Sequence, residues 1–100
     1  MARENLVFED FKDLIGSTFT VIEVGLPPMS LALDEAKALQ NRNPLPNSRP
    51  PFSLIFVCED QSVLPQGLYR LAHDGMGDVT LFLVPVGRDE RGVSYQALFN

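Results

Sequence analysis

The side chains able to do chemistry are few. The 100-residue chain has one histidine, His73, and one cysteine, Cys58. Nucleophilic catalysis needs a nucleophile, a base and a group that orients the base, all within hydrogen-bond reach. His73 is the one usual base, beside Asp74 at the mouth of an expected hairpin, with Cys58 and Ser53 as candidate nucleophiles. Neither is framed by Gly-x-Ser-x-Gly or another nucleophile-elbow spacing. The pattern therefore predicts no catalytic residues and no enzyme, and a turn histidine bonded to nearby backbone. One His and one Cys cannot close a zinc site. The acidic pairs Glu59-Asp60 and Asp89-Glu90 lack the alternating oxygen ligands of a calcium loop and read as solvated loop charges. Gly75-Met76-Gly77 is too short to cradle a nucleotide phosphate and precedes a strand rather than a helix. No cofactor and no metal is expected.

Binding is a different matter. Tyr69, His73 and Tyr95 have the character of residues that line the polar mouth of a ligand-binding barrel. Each equally suits the half-wet rim of a β core, with the ring buried and the polar tip in water. Pro44, Leu45 and Pro46 sit in a stretch, residues 41–51, that contains four prolines. Such an arm is an irregular surface loop that can offer a polyproline-type ligand to an aromatic groove.

The elements that must position these residues are mostly strands. Residues 6–15 read as an amphipathic helix: Val7, Phe11, Leu14 and Ile15 recur at helical spacing, with Phe8 beside them. Glu9 and Asp10 favour the positive end of its dipole, and Gly16 is a natural stop. The stripe is expected to lie as a lid over the protein's own core. Residues 18–24 read as a first strand. Residues 30–39 are ambiguous: Leu, Ala, Glu and Lys favour a helix, whereas Leu31, Leu33 and Leu39 share a strand parity. Residues 52–58 are apolar on both parities, as in a central strand. A loop over 59–66 leads to an alternating strand at 67–73. Asp74-Gly75-Met76-Gly77 signals a tight hairpin, followed by a strand at 78–86, a charged hairpin loop at 87–92 and a last strand at 93–99. Pro85 cannot donate to a ladder, so it predicts an edge or a bulge. The expectation is one domain, residues 1–100, of mainly β (α+β) class. About six strands with one N-terminal amphipathic helix would form a small antiparallel barrel or a two-sheet sandwich.

Composition narrows the partners. The chain carries 13 acidic and 8 basic residues, a net charge of −5, and its cations form no run. Such a surface repels phosphate backbones, which excludes nucleic acid as the expected partner. A lone cysteine forms no internal disulfide, and in its apolar run Cys58 reads as a buried, inert thiol. The charged N-terminus lacks the apolar core of a signal peptide, and no apolar run approaches the ~20 residues that span a bilayer. The expected setting is the cytoplasm, with no membrane contact.

Four segments occur in order: Pro51-Phe52-Ser53-Leu54-Ile55-Phe56; Leu64-Pro65-Gln66-Gly67-Leu68-Tyr69-Arg70-Leu71; Leu81-Phe82-Leu83-Val84-Pro85-Val86-Gly87; and Tyr95-Gln96-Ala97-Leu98-Phe99-Asn100. Together they resemble an uncharacterised family of short bacterial proteins with no assigned activity, over nearly the whole chain. The family's second strand alternates Leu with Thr, Val and Glu, so the resemblance implies a strand at 30–39. Relatives encoded near phage-tail-collar-like genes imply a structural accessory role. The expected function is a non-catalytic structural or protein-interaction module, which the resemblance places as an accessory of a phage-tail-like assembly. Its contacts would be a protein partner or a second copy, through an edge strand or the Pro-rich loop. A small-molecule-binding β-barrel is the alternative.

Overall fold

A computed structural model describes residues 6–22, 27–39 and 50–99. In chain order they form α1 (Glu9–Lys12), β1 (Thr18–Val21), β2 (Met29–Ala38), β3 (Phe52–Cys58), β4 (Gly67–His73), β5 (Gly77–Asp89) and β6 (Gly92–Phe99). The six strands make one antiparallel sheet that closes in a ring, in the order β1-β2-β3-β6-β5-β4. A single closed sheet is thus the form taken, rather than two packed sheets. The mainly β expectation with one N-terminal helix holds.

Closure follows from the alternation along each strand. Successive side chains in a strand point to opposite faces, so one parity can be buried inside a ring while the other meets solvent. Leu31 and Leu33 of β2, Leu71 of β4, Leu81 and Leu83 of β5 and Tyr95 of β6 are all enclosed. Ala32, Leu68, Arg70, Thr80 and Phe82 take the opposite parity and lie outside. β3 is paired along its whole length, to β2 on one side and β6 on the other. Its near-continuous apolar sequence suits that central place.

β2 is a strand, and tertiary pairing explains why propensity loses there. Residues 29–32 pair with β1 and residues 31–38 with β3. The long ladder to β3, with β1 on the other side at residues 29–32, outweighs the few tenths of a kcal/mol per residue by which Ala, Leu, Glu and Lys prefer a helix. A register shift between Leu33 and Glu35 absorbs the change of partner.

Three expectations need correction. The helix occupies Glu9–Lys12 instead of residues 6–15. Several bonds around it run from residue i to i+3, as in Asp10 N–H to Val7 O and Leu14 N–H to Phe11 O. The tighter winding turns Phe11 into the end of the ring, where it is fully buried, while Ile15 stays exposed. The first strand ends at Val21, and residues 23–24 lie outside the described residues. Pro85 lies where β5 has a partner on one side only: the β4 ladder stops at Leu83, β6 pairs with Val84 and Pro85, and the register shifts between Pro85 and Gly87, as a proline there predicts. Both halves of that expectation are met, since β5 beyond Leu83 is laddered to β6 alone and carries the bulge. The charged loop at 87–92 shrinks to a turn at Glu90-Arg91, because past the bulge the ladder resumes and pairs Asp89 with Gly92.

Gly92 makes that turn feasible. Its φ is +133°, and a Cβ there would come within 1.8 Å of the Cys58 carbonyl oxygen. β6 can therefore start hard against the end of β3 only if this residue has no side chain.

Candidate functional site

The two ends of the ring are closed by different means. At the α1 end, Phe11 packs against Phe19, Phe52 and Phe99 with ring centroids 5.9–6.4 Å apart. Phe52 and Phe99 stack in parallel at 4.3 Å with a 6° interplanar angle. Phe8 and Leu14 pack onto the same core, so the segment is a lid over its own barrel interior.

At the opposite end, two tyrosines hold the 59–66 loop. The Leu64 amide donates to the Tyr95 hydroxyl at 2.9 Å. The Tyr69 hydroxyl donates to the Pro65 carbonyl at 2.5 Å. Both rings are buried. Burial pushes the Tyr95 phenol above its ordinary value, against the bond from Leu64, which acts the other way. Cys58 is buried at this end, and burial likewise raises its thiol above the ordinary range.

His73 lies at the α1 end, away from both tyrosines. Its Nδ1 accepts from the amides of Gly75 at 3.0 Å and Met76 at 3.2 Å. That leaves the ring proton on Nε2, which donates to Ser17 Oγ at 3.0 Å. The Ser17 hydroxyl in turn donates to the Leu14 carbonyl at 2.5 Å. Nε2 therefore offers Ser17 a proton where a general base would offer a lone pair. The chain of bonds ties the β4–β5 turn to the α1–β1 connection. Cys58 lies at the far end of the ring and Ser53 on the outer parity of β3, so neither approaches His73.

Tyr69, His73 and Tyr95 thus do not converge on one mouth; each spends its polar atoms on the protein's own backbone or on Ser17. Pro44, Leu45 and Pro46 lie outside the described residues. Among the described residues, no group of three His, Cys, Asp or Glu side chains comes together where it could hold a metal ion. No helix among them is long and apolar enough to cross a membrane.

Sequence reasoning missed two features of the outer surface. The first is an apolar face. Leu68 on β4 stands directly opposite Phe82 on β5, and these side chains are 67% and 48% exposed. Leu98, on the outer parity of β6, is 52% exposed. The second is a groove over β1, β2 and β3. Two hollows of about 380 and 510 Å³ share Ala32, Val57 and Glu59. Asp60 flanks one of them, and Asp34, Glu90 and Arg91 flank the other. Alternation alone could have flagged the first feature, since Leu68 and Phe82 break the polar parity of their strands. The second depends on strand order and left no local signal.

No curated protein and no solved structure matches the chain. The stretch that does match a known family, residues 6–99, runs from the residue before the lid to the last residue of β6, so that the whole ring is one domain: the chain belongs to the DUF6916 family, a domain of unknown function.

Proposed function

We propose that this protein is a non-catalytic, cytoplasmic interaction module that docks onto another protein through the outer face of β4 and β5. The observation that carries this reading is the cross-strand pair Leu68 and Phe82, large apolar side chains left in water on the outside of a closed ring. Burying such a pair in a partner releases roughly 25 cal/mol for each Å² removed from water. Rings that keep such groups outside while filling their interior put their binding energy at the surface. The enclosed Phe19, Phe56, Leu31, Leu33 and Leu83 favour this reading over a ligand held inside. The hydrogen-bonding of His73 favours it over catalysis. An accessory subunit of a phage-tail-like assembly is the setting that the resemblance to neighbours of such genes supports.

The test is capture of partners from the source lysate by the tagged protein, beside a Leu68→Ser/Phe82→Ser variant. Both positions are exposed, so the variant should keep its melting temperature within a few degrees. A stoichiometric partner retained by the native chain and lost from the variant supports the reading. A partner held equally by both, or a native chain that captures nothing and stays monomeric at high concentration, sinks it.

A further inference from the structure

We infer that the groove over β1, β2 and β3 is a docking site for a basic, extended peptide segment of a protein partner. The site is separate from the apolar face of β4 and β5, and the inference does not depend on that face. Thr18 of β1, Ser30 and Ala32 of β2 and Val57 of β3, outer-parity positions on three adjacent strands, lie along the groove, with Pro28, Met29 and Cys58 at the strand ends. The outer-parity side chains there are short, which leaves room above the strands. Two hollows of about 380 and 510 Å³ join at Ala32, Val57 and Glu59, so the depression runs on rather than ending in a single dimple. An extended chain advances about 3.3 Å per residue, and its alternate side chains can settle on such a floor.

Charge chooses the occupant. Among the described residues, Asp34, Glu59, Asp60 and Glu90 line the groove, against the single cation Arg91. These carboxylates come from three places in the chain: β2, the start of the 59–66 loop and the β5–β6 turn. The closed strand order brings them together. They do not converge tightly enough to hold a metal ion, so the cations they suit are borne on long, separate arms, as Lys and Arg side chains are. Arg91 already shows the contact in miniature. Its guanidinium lies 3.4 Å from the Asp34 carboxylate and 3.8 Å from that of Asp89, in pairs that are more than two-fifths exposed. Exposed pairs of this kind are weak, and a lysine or arginine from a partner can take Arg91's place at Asp34. The acidic net charge of the chain steers such a segment toward the surface.

The experiment is an amide-shift titration of the intact chain with three capped hexapeptides, alternating Ala with Lys, with Gln or with Glu, and with spermine as a fourth probe. Saturable shifts from the lysine peptide alone are expected, centred on Ala32, Val57, Glu59 and Glu90 and weakened by salt. Glu59→Lys/Glu90→Lys should weaken binding by about tenfold, whereas Arg91→Ala should strengthen it about threefold by freeing Asp34. All three positions are exposed, and Ala32→Tyr, also outside, fills the floor as a second test and should abolish the shifts. Exposed Glu9 and Asp13 on and beside α1 are the internal control, being acidic without a groove. Shifts spread equally to α1, equal binding of spermine or of the Gln peptide, or no saturable shift from the lysine peptide would each overturn the inference.

Discussion

The α1 end of the ring is shut by hydrocarbon and the 59–66 end by hydrogen bonds. At the first, Phe11 sits among the rings of Phe19, Phe52 and Phe99, and the His73 ring, 4.5 Å from Phe19, turns its polar atoms to Ser17 and the β4–β5 turn at the margin of the cluster. At the second, the Tyr95 and Tyr69 hydroxyls reach the backbone of a loop that has no strand to pair with. The difference lies in what each end can close over. A short amphipathic segment brings its own apolar plug, and the turns on either side of its four helical residues answer part of its backbone, with Asp10, Phe11 and Lys12 N–H bonded to Val7 and Phe8 carbonyls. An irregular loop brings unpaired amides and carbonyls, and burying those without partners costs about 1–3 kcal/mol each. Tyrosine solves both problems at once, by filling the core with its ring and answering the loop with its hydroxyl.

The largest effect that would break this comparison is expected at Phe11. Phe11→Ala should cost about 3–5 kcal/mol by denaturant unfolding, whereas Phe11→Leu should cost far less, since a plug needs volume rather than a particular atom. A large loss in Phe11→Leu would mean that ring stacking, and not filling, closes that end.

At the other end the backbone is the first thing to test. Gly92→Ala forces a methyl into the Cys58 carbonyl at a positive φ, and a loss of about 2–4 kcal/mol is expected from strain and displacement together. Melting unchanged by this substitution would show that β6 does not start against β3 as described.

Tyr95→Phe keeps the ring and leaves the Leu64 amide unanswered, for an expected loss of about 1–3 kcal/mol. It should also change the response to alkali. Burial raises the Tyr95 phenol above its ordinary value of 10.0, so the folded protein holds that proton to higher pH than the unfolded chain does. The stabilisation is complete below the ordinary value and drains away as pH rises through the folded one. Cys58, from an ordinary value of 9.0, behaves in the same sense at the same end. The stability of the native chain should therefore fall more steeply above pH 10 than that of Tyr95→Phe. Parallel curves for the two proteins would remove Tyr95 as the cause. The smallest effect is expected for Tyr69→Phe, about 1 kcal/mol, because Pro65 sits beside solvent that can replace the lost donor.

Much of the ring was legible in the chain. β3 and β4 have the bounds that their parity and flanking turn residues predict, because alternation is a local signal and Gly67 and Asp74-Gly75 punctuate it. β2 was not legible from propensity, since Ala32, Ala36 and Ala38 carry helix preference and only the neighbouring strands override it. The family resemblance supplied what local reasoning lacked. The lid was placed correctly by the spacing of Phe11 and Leu14 but drawn too long, as the pull of the aromatic cluster on Phe11 is not written in residues 6–15. The polar roles were the least legible part. Tyr69 and Tyr95 read as a wet rim because their acceptor and donor, at Pro65 and Leu64, are backbone atoms, which carry no side-chain signature. Glu59, Asp34 and Glu90 read as separate solvated charges because only the strand order makes them neighbours.

The ring closes where it is thinnest. Among the described residues β1 meets β4 at Thr20 and Val21, opposite Ala72 and Leu71, with one further bond from the Ile22 amide to Arg70. The β3–β6 and β4–β5 ladders each run to seven such pairs. The joining strands are also some fifty residues apart in the chain, so their contact carries a loop-closure cost that the hairpins β4–β5 and β5–β6 escape. Folding should therefore make an open sheet first and sew this seam last, and the amides of β1 should exchange with solvent sooner than those of β3. The same two strands, separated while the seam is open, can find each other on different molecules as well as on one. A hairpin of β1 and β2 traded between copies would restore every bond of the closed ring, making strand exchange at high concentration a built-in hazard of closing a sheet with its shortest ladder.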